Sequence, residues 1–387
     1  MTRPQLGDLV GAFGDIGTLL PLAAGLVIVA HVDPGGFFIT FGLATMLAGV
    51  AFRLPVPVQP QKAVAAAAIA ERWPAGQVYG AALGTGVVWL VVAATPLLGW
   101  LRGTVPAFIA RGVQLGLAFT LGLQAVLLLA RSVPLAALGL LLFAVTLRFR
   151  LVGIALTIAA SIALMPRDQV ALAIVPSLPA LSLPGASDVL DGMLRGGIAQ
   201  LPLTLANAII ATAALGARYF PERPIPERRL AISTGAMNVV AALLSGAPLC
   251  HGAGGLAAQY FYGARTAWKN VIEGALALAL GLFFAPGLGS ALAAFPMPLL
   301  GSLLLLVALE LLSSARGLFG WQGWIATSMA VLAVTTNIGL AFFAGFVIAA
   351  AVRAAVHRGW LPHLKGRTPA EYLARLPELV FGGTRAA

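Results

Sequence analysis

One cysteine, Cys250, stands alone among 387 residues, so no intramolecular disulfide and no multi-cysteine metal site can form. Charge is almost as scarce. Only 10% of residues are charged, against about 25% in soluble domains, which excludes an ordinary water-facing surface. Acidic residues are the scarcer sign, 13 against 24 basic, for a formal charge of +11. The basic residues are scattered at the ends of apolar runs, so no solvated basic domain exists to hold a nucleic acid. No metal-ligand cluster and no cofactor motif is read from the chain.

Hydrophobicity fills the space that charge leaves: 60% of residues are hydrophobic and the mean hydropathy is +0.95. Stretches such as Leu9–Ala30 and Val113–Ala130, and Ala275–Pro286 with its flanks, approach the roughly 20 apolar residues that cross a bilayer. The first lacks the basic start and cleavage site of a signal peptide and reads as a retained helix.

Punctuation by Pro, Gly and charge divides the chain into about fourteen segments. Seven fall near 7–31, 36–54, 58–71, 76–95, 105–130, 134–148 and 151–166. After a Pro-rich connector at 176–185, seven more fall near 192–217, 229–246, 250–264, 267–286, 288–312, 320–336 and 338–357. With the N-terminus inside, the outer side receives only Arg72, Arg131, Arg167 and Arg195. Apart from Lys62, the inner side receives the other basic residues, among them Arg111, Arg150, Lys269 and Arg316. This bias supports both the count and cytoplasmic termini.

Seven segments per half is odd, so the second half inserts upside down. The expected fold is an all-α polytopic membrane protein of two inverted repeats, 1–178 and 186–360, followed by a short cytoplasmic tail, 361–387. Gly42 and Pro55 reappear as Gly235 and Pro248, both shifted by 193 residues. Pro55 and Pro248 open two interrupted segments, Pro55-Val-Pro-Val-Gln-Pro-Gln-Lys62 and Pro248-Leu-Cys-His-Gly-Ala-Gly-Gly255. Such interruptions at corresponding places point to a transporter's central site, and broken backbone at that depth must be buried or line a cavity.

Proline keeps the residue before it extended, so a helix is expected to begin near Gln59 to Gln61. A second should follow Gly252, Gly254 and Gly255. Each helix start carries about +0.5 charge and unpaired N–H groups. Lys62, the only Lys or Arg read inside the membrane region, brings the total to roughly +2, a match for a dianion. Asp15 could neutralise Lys62 in the empty site or carry a proton. Glu273 and Glu310 are further proton-coupling candidates. Thr18 interrupts the first span and Gln200, Thr204 and Asn207 the eighth; oxyanion contacts and helix packing are both open for them. His251 could touch substrate, titrate, or hold the segment in place.

The segments Pro55–Lys62, Gln200-Leu-Pro-Leu-Thr-Leu-Ala-Asn207, Cys250-His-Gly-Ala-Gly-Gly-Leu256 and Gly14-Asp-Ile-Gly17 resemble the signature segments of the molybdate transporter family within the sulfate permease superfamily. The resemblance spans nearly the whole chain. It implies a core and a gate domain, with molybdate held between the third and tenth segments. Carried over by position, the site is Gln59, Gln61 and Lys62 with His251, Gly252, Ala253, Gly254 and Gly255, and Thr18 and Thr204 beside them. Unlike sulfate permeases, the chain has only about thirty residues after its last span, so regulation through a cytoplasmic domain is not expected.

The expected activity is secondary import of molybdate by alternating access, in an elevator-like motion of core against gate. Tungstate or sulfate could share the site, and an anion channel of the same fold is the alternative. Bringing in a dianion against an inside-negative potential costs about 4.6 kcal/mol per 100 mV, so a coupled proton is expected. A nucleobase carrier would want a carboxylate on the tenth segment. An intramembrane enzyme around Cys250 and His251 lacks a third member. Abundant Ala and Arg suggest a bacterial cytoplasmic membrane, and the superfamily resemblance leaves room for a homodimer.

Overall fold

The computed structural model describes residues 3–104, 106–166, 174–318 and 320–358. Arg167 and the tail 361–387 lie outside them. The first half contains α1 (Leu6–Ala12), α2 (Ile16–Val29), α3 (Pro34–Phe52), strand β1 (Gln59–Pro60), α4 (Lys62–Glu71) and α5 (Ala75–Ala94). A short α6 (Leu97–Thr104) leads into α7 (Ala107–Leu129), α8 (Val133–Arg148) and α9 (Arg150–Leu164).

The second half opens with one helical run, Ala186–Tyr219. In it α10 (Ala186–Gly192), α11 (Ile198–Leu203) and α12 (Thr212–Tyr219) are joined by π-helical turns at Met193–Gly197 and Thr204–Ala211. Then come α13 (Glu227–Leu243), β2 (Leu249–Cys250), α14 (Ala253–Phe261), α15 (Trp268–Ala293), α16 (Met297–Ser314), α17 (Gly320–Thr335) and α18 (Ile338–His357). Among the described residues, six helical runs are long and apolar enough to cross a membrane, and four shorter apolar helices accompany them. The protein is a multi-pass membrane protein.

Most expected segments coincide with helices, with three differences. The first span is two helices, α1 and α2, broken over Phe13–Asp15. The short α6 has no counterpart in the segment count. The break expected at Pro286 does not occur: Pro286 lies inside α15, which runs on to Ala293. Proline is tolerated in membrane helices because neighbouring groups satisfy the freed carbonyl, and the chain turns instead before Met297, with Pro298 in the first turn of α16.

Two groups of helices can be distinguished by what packs on what. In one, α15 lies along α3, while α13 and α10 lie along α5. Small residues allow this: a Cβ on Gly42 would fall 2.7 Å from the Gly274 carbonyl, and one on Gly235 would fall 3.0 Å from that of Gly86. In the other, α16 and α17 pack on α7, α18 on α17, and α9 on α8. The groups meet where α2 touches α16 and α4 touches α7.

The strands lie between helix pairs as a two-residue antiparallel ladder, Gln59 opposite Cys250 and Pro60 opposite Leu249. So short a ladder leaves buried backbone to satisfy, and asparagines do it. Asn238 Oδ1 accepts from Leu249 N–H at 2.8 Å, and its Nδ2 donates to the Leu249 carbonyl at 2.6 Å. Asn270 Nδ2 donates to the Val56 carbonyl at 2.7 Å and to that of Thr45 at 3.0 Å. This is non-helical backbone buried in protein, the condition a membrane interior sets.

Candidate functional site

Lys62 is the first residue of α4, and Gly254 lies in the first turn of α14. Both line a cavity of about 70 Å³, with Gln59, Gln114, Gln200 and Glu310 among the other walls. Its chemistry is dominated by donors: an ammonium group, four side-chain amides, Asn207 being the fourth, and a helix start whose first N–H groups have no partner within the helix. Glu310, on α16, supplies the carboxylate.

Glu310 is the direct counter-charge of Lys62. Its Oε1 lies 3.7 Å from Lys62 Nζ. Its Oε2 accepts from Arg150 at 3.1 Å and from the Thr18 hydroxyl at 3.0 Å. Asp15, expected as the partner of Lys62, instead accepts a hydrogen bond from Gln59 Nε2. Glu310 and Arg150 also line a much larger recess, about 1220 Å³, whose rim includes Arg316 and Trp324.

The remaining expected residues divide into those at the cavity and those behind it. Gln200 lines the cavity, where its Oε1 accepts the Ala63 N–H at 2.8 Å, so it caps the second residue of α4. Its Nε2 donates to Thr204 Oγ1 at 3.1 Å, so Thr204 holds Gln200 in place. Pro202 lies between them and has no N–H; the π-helical turn that starts at Thr204 follows directly. π-bulges of this kind are frequent at functional sites. Gln61 turns away, donating to Thr85 Oγ1 at 3.2 Å and to the Leu249 carbonyl at 3.3 Å.

His251 is fully buried behind the strand pair. Its Nδ1 lies 2.8 Å from the Pro57 carbonyl, which can only accept, so Nδ1 carries the proton. In the neutral ring Nε2 then accepts from Ser233 Oγ at 3.0 Å, and Phe52 packs edge-on at 5.7 Å. Both ring nitrogens are thus engaged by protein. The glycines differ in surroundings: a Cβ on Gly252 or Gly255 would press on the Gln59 amide, whereas one on Gly254 would meet only Glu310 Oε1, at 3.5 Å. Ala253, the first residue of α14, is partly exposed.

Two cations assigned by charge counting to the inner side are engaged by carboxylates of the protein. Lys269, assigned to the inner edge, is wholly buried and donates to Glu273 Oε2 at 2.5 Å within α15. Lys62 is therefore not the one basic residue in the interior. Arg150, also assigned to the edge, reaches Glu310. The signal that could have found it is the buried stripe Gly153, Thr157, Ser161 at four-residue spacing, since Arg150 begins the same helix one turn earlier. Gln114, a polar interruption of α7, lines the cavity as Gln200 does, and its place within an apolar run is the same sequence signal. Among the described residues no group of three His, Cys, Asp or Glu could hold a metal ion.

The class these features define is a helical, multi-pass membrane transporter. Three solved structures share the fold. The transmembrane domain of a cyanobacterial bicarbonate transporter, BicA, aligns with TM-score 0.66 at 18% identity, covering 88% of this chain and 98% of that one. SLC26A9 aligns with TM-score 0.65 at 12% identity, covering 91% and 65%. The murine anion transporter Slc26a9 in its inward-facing state aligns with TM-score 0.65 at 13% identity, covering 92% and 69%.

Sequence comparison then narrows the class. The profile described as "Molybdate transporter of MFS superfamily" matches residues 7–121 and 192–311. Molybdate transporter 1 of Chlamydomonas reinhardtii is 30% identical, covering 90% of this chain and 91% of its own. Molybdate transporter 1 of Arabidopsis thaliana is 27% identical, covering 89% and 87%. The chain belongs to the molybdate transporter family, a family of transporters and not of enzymes.

Proposed function

We propose that this chain imports molybdate across a bacterial cytoplasmic membrane by alternating access, with the anion held between the starts of α4 and α14. The observation that carries the reading is Lys62 beside Gly254 in a donor-rich cavity of about 70 Å³. That volume is far below the roughly 300–1,000 Å³ of pockets for organic ligands, so it suits a small inorganic anion and disfavours a nucleobase. Gln59, Lys62 and the α14 start form the first contacts, with Gln200 and Thr204 holding the start of α4. His251 and Gln61 keep the broken segments in register.

The wider architecture in this reading is fourteen segments in two inverted repeats, 1–178 and 186–360. The reciprocal packing of α3 on α15 and of α13 on α5 supports it, because each pair joins one half to the other. The group around α3, α5, α13 and α15 would be the moving core, and the group around α7 and α16 the gate. Charge bias puts both termini and the Arg316 recess in the cytoplasm, so the conformation is open inward.

The test is binding and uptake with purified, reconstituted protein. Molybdate and tungstate should bind and enter, and Lys62→Ala should lower affinity at least tenfold. Binding of a nucleobase alone would overturn the oxyanion reading. Steady, unsaturating current would favour the channel, and preferential sulfate uptake would reassign the substrate within the same site.

A further inference from the structure

We infer that the Glu310 carboxylate is a tethered competitor that occupies the anion's place in the empty protein, and that the oxyanion enters as Glu310 takes up a proton and lets go of Lys62. This rests on the reading of the cavity as an oxyanion site.

The geometry is that of a bound oxyanion. One carboxylate oxygen faces Lys62 Nζ at 3.7 Å and is the one atom a Cβ on Gly254, in the first turn of α14, would meet, at 3.5 Å. The other accepts from Arg150 at 3.1 Å and Thr18 at 3.0 Å. An ammonium, a guanidinium and a hydroxyl thus converge on one carboxylate, which are partners an incoming oxyanion would use. Glu310 extends from α16 in one helix group, whereas Lys62, Thr18 and Gly254 belong to the other. The contact therefore joins the two groups, and its release frees one to move past the other.

Charge explains the need for a proton. Lys62 and Arg150 bring two positive charges to Glu310. A dianion added beside an ionised Glu310 would set three negative charges against those two. Asp15, held by Gln59, and Glu273, paired with Lys269, place further carboxylates within electrostatic range of the same region. Protonation of Glu310 removes one of the three negative charges and leaves the dianion facing Lys62 and Arg150. The proton adds to a carboxylate oxygen, no other bond changes, and Lys62 and Arg150 pass to the anion. Anion and proton must then strengthen each other's binding reciprocally.

The experiment titrates molybdate into the full-length protein in detergent, in buffers of different ionisation enthalpy, across pH. The expected wild-type result is uptake of close to one proton per molybdate and an affinity that falls about tenfold per pH unit on the alkaline side. Glu310→Gln, which is neutral throughout, should take up no proton, show a flat pH profile and bind at least tenfold tighter than wild type at alkaline pH. Wild-type binding without proton uptake overturns the inference and leaves the transport reading standing. So does a Glu310→Gln protein that binds no tighter and still takes up a proton. Failure of the wild type to bind molybdate, tungstate or sulfate overturns the transport reading itself. If Glu310→Gln does not fold, absence of proton uptake by the wild type still overturns the inference, and loss of the uptake in Asp15→Asn would overturn it by moving the proton to Asp15.

Discussion

The side chain of Gln200 accepts a hydrogen bond from the backbone N–H of Ala63, 137 residues earlier in the chain, at 2.8 Å. One first-turn donor of α4 is therefore already satisfied by protein, and the proposed anion site is left with Gln59, Lys62 and the α14 start. Gln200→Ala would leave that N–H buried without a partner, at a cost of about 1–3 kcal/mol. The expected outcome is a melting temperature in detergent lowered by several degrees, with molybdate binding weakened in proportion. Gln200→Glu keeps an acceptor but sets a negative charge near Lys62. It should melt close to wild type yet lose most anion affinity, so comparing the two variants separates scaffold from charge.

His251 bridges the Pro57 carbonyl and Ser233 and presents neither nitrogen to the cavity. His251→Asn places an amide N–H where Nδ1 donates, so it should retain most stability. His251→Ala abandons both partners and should melt lower by an amount like that for Gln200→Ala. If the ring only holds the backbone, the pH profile of uptake between about pH 5 and 8, where histidine titrates, will be the same in His251→Asn as in wild type. A flattened profile would make His251 part of the coupling.

The parts of this molecule that could be read from sequence are those set by local chemistry. Pro55, Pro57 and Pro60 restrict backbone directly, so the extended break and the helix start after it could be placed within a residue or two. The apolar runs located most helices for the same reason. Pro286 misled because proline's effect in a membrane helix depends on neighbours that the local sequence does not show. The π-helical turns around Gln200 carry no side-chain pattern of their own. The pairing of Lys62 with Glu310 was out of reach, since it depends on how α16 sits against α4 across two helix groups. Lys269 shows the limit of counting charges: its position at a helix start is the same whether the side chain meets water or, as here, Glu273 in the interior.

That buried pair makes a sharp prediction. Lys269 is fully buried and its partner nearly so, at 10% side-chain exposure. Removing one member strands the other as an unpaired charge, typically costing about 3–5 kcal/mol. Lys269→Met and Glu273→Leu should each express poorly or melt far below wild type. The double variant should recover most of the loss, because apolar replacement of a whole buried pair is often neutral or better. Recovery of folding together with molybdate uptake would assign the pair to the scaffold, and recovery of folding without uptake would place it in the coupling pathway.

Gly254 and Gly255 are neighbours with opposite expected responses to a single methyl group. At Gly255 an added Cβ would collide with the Gln59 amide and come within 2.9 Å of Asp15 Oδ2. The hydrogen bond joining α2 to the β1 segment would have to break or shift, and overpacking of this kind costs about 1–3 kcal/mol. Gly255→Ala should therefore melt below wild type even without anion. At Gly254 the same methyl would find only Glu310 Oε1, at an ordinary 3.5 Å, so Gly254→Ala should fold and melt like wild type. Its methyl would nonetheless project into the cavity of about 70 Å³ beside Lys62, the place proposed for the oxyanion. Molybdate affinity should fall at least tenfold in Gly254→Ala, measured by calorimetry on protein of unchanged melting temperature. An unchanged affinity would move the anion away from the start of α14.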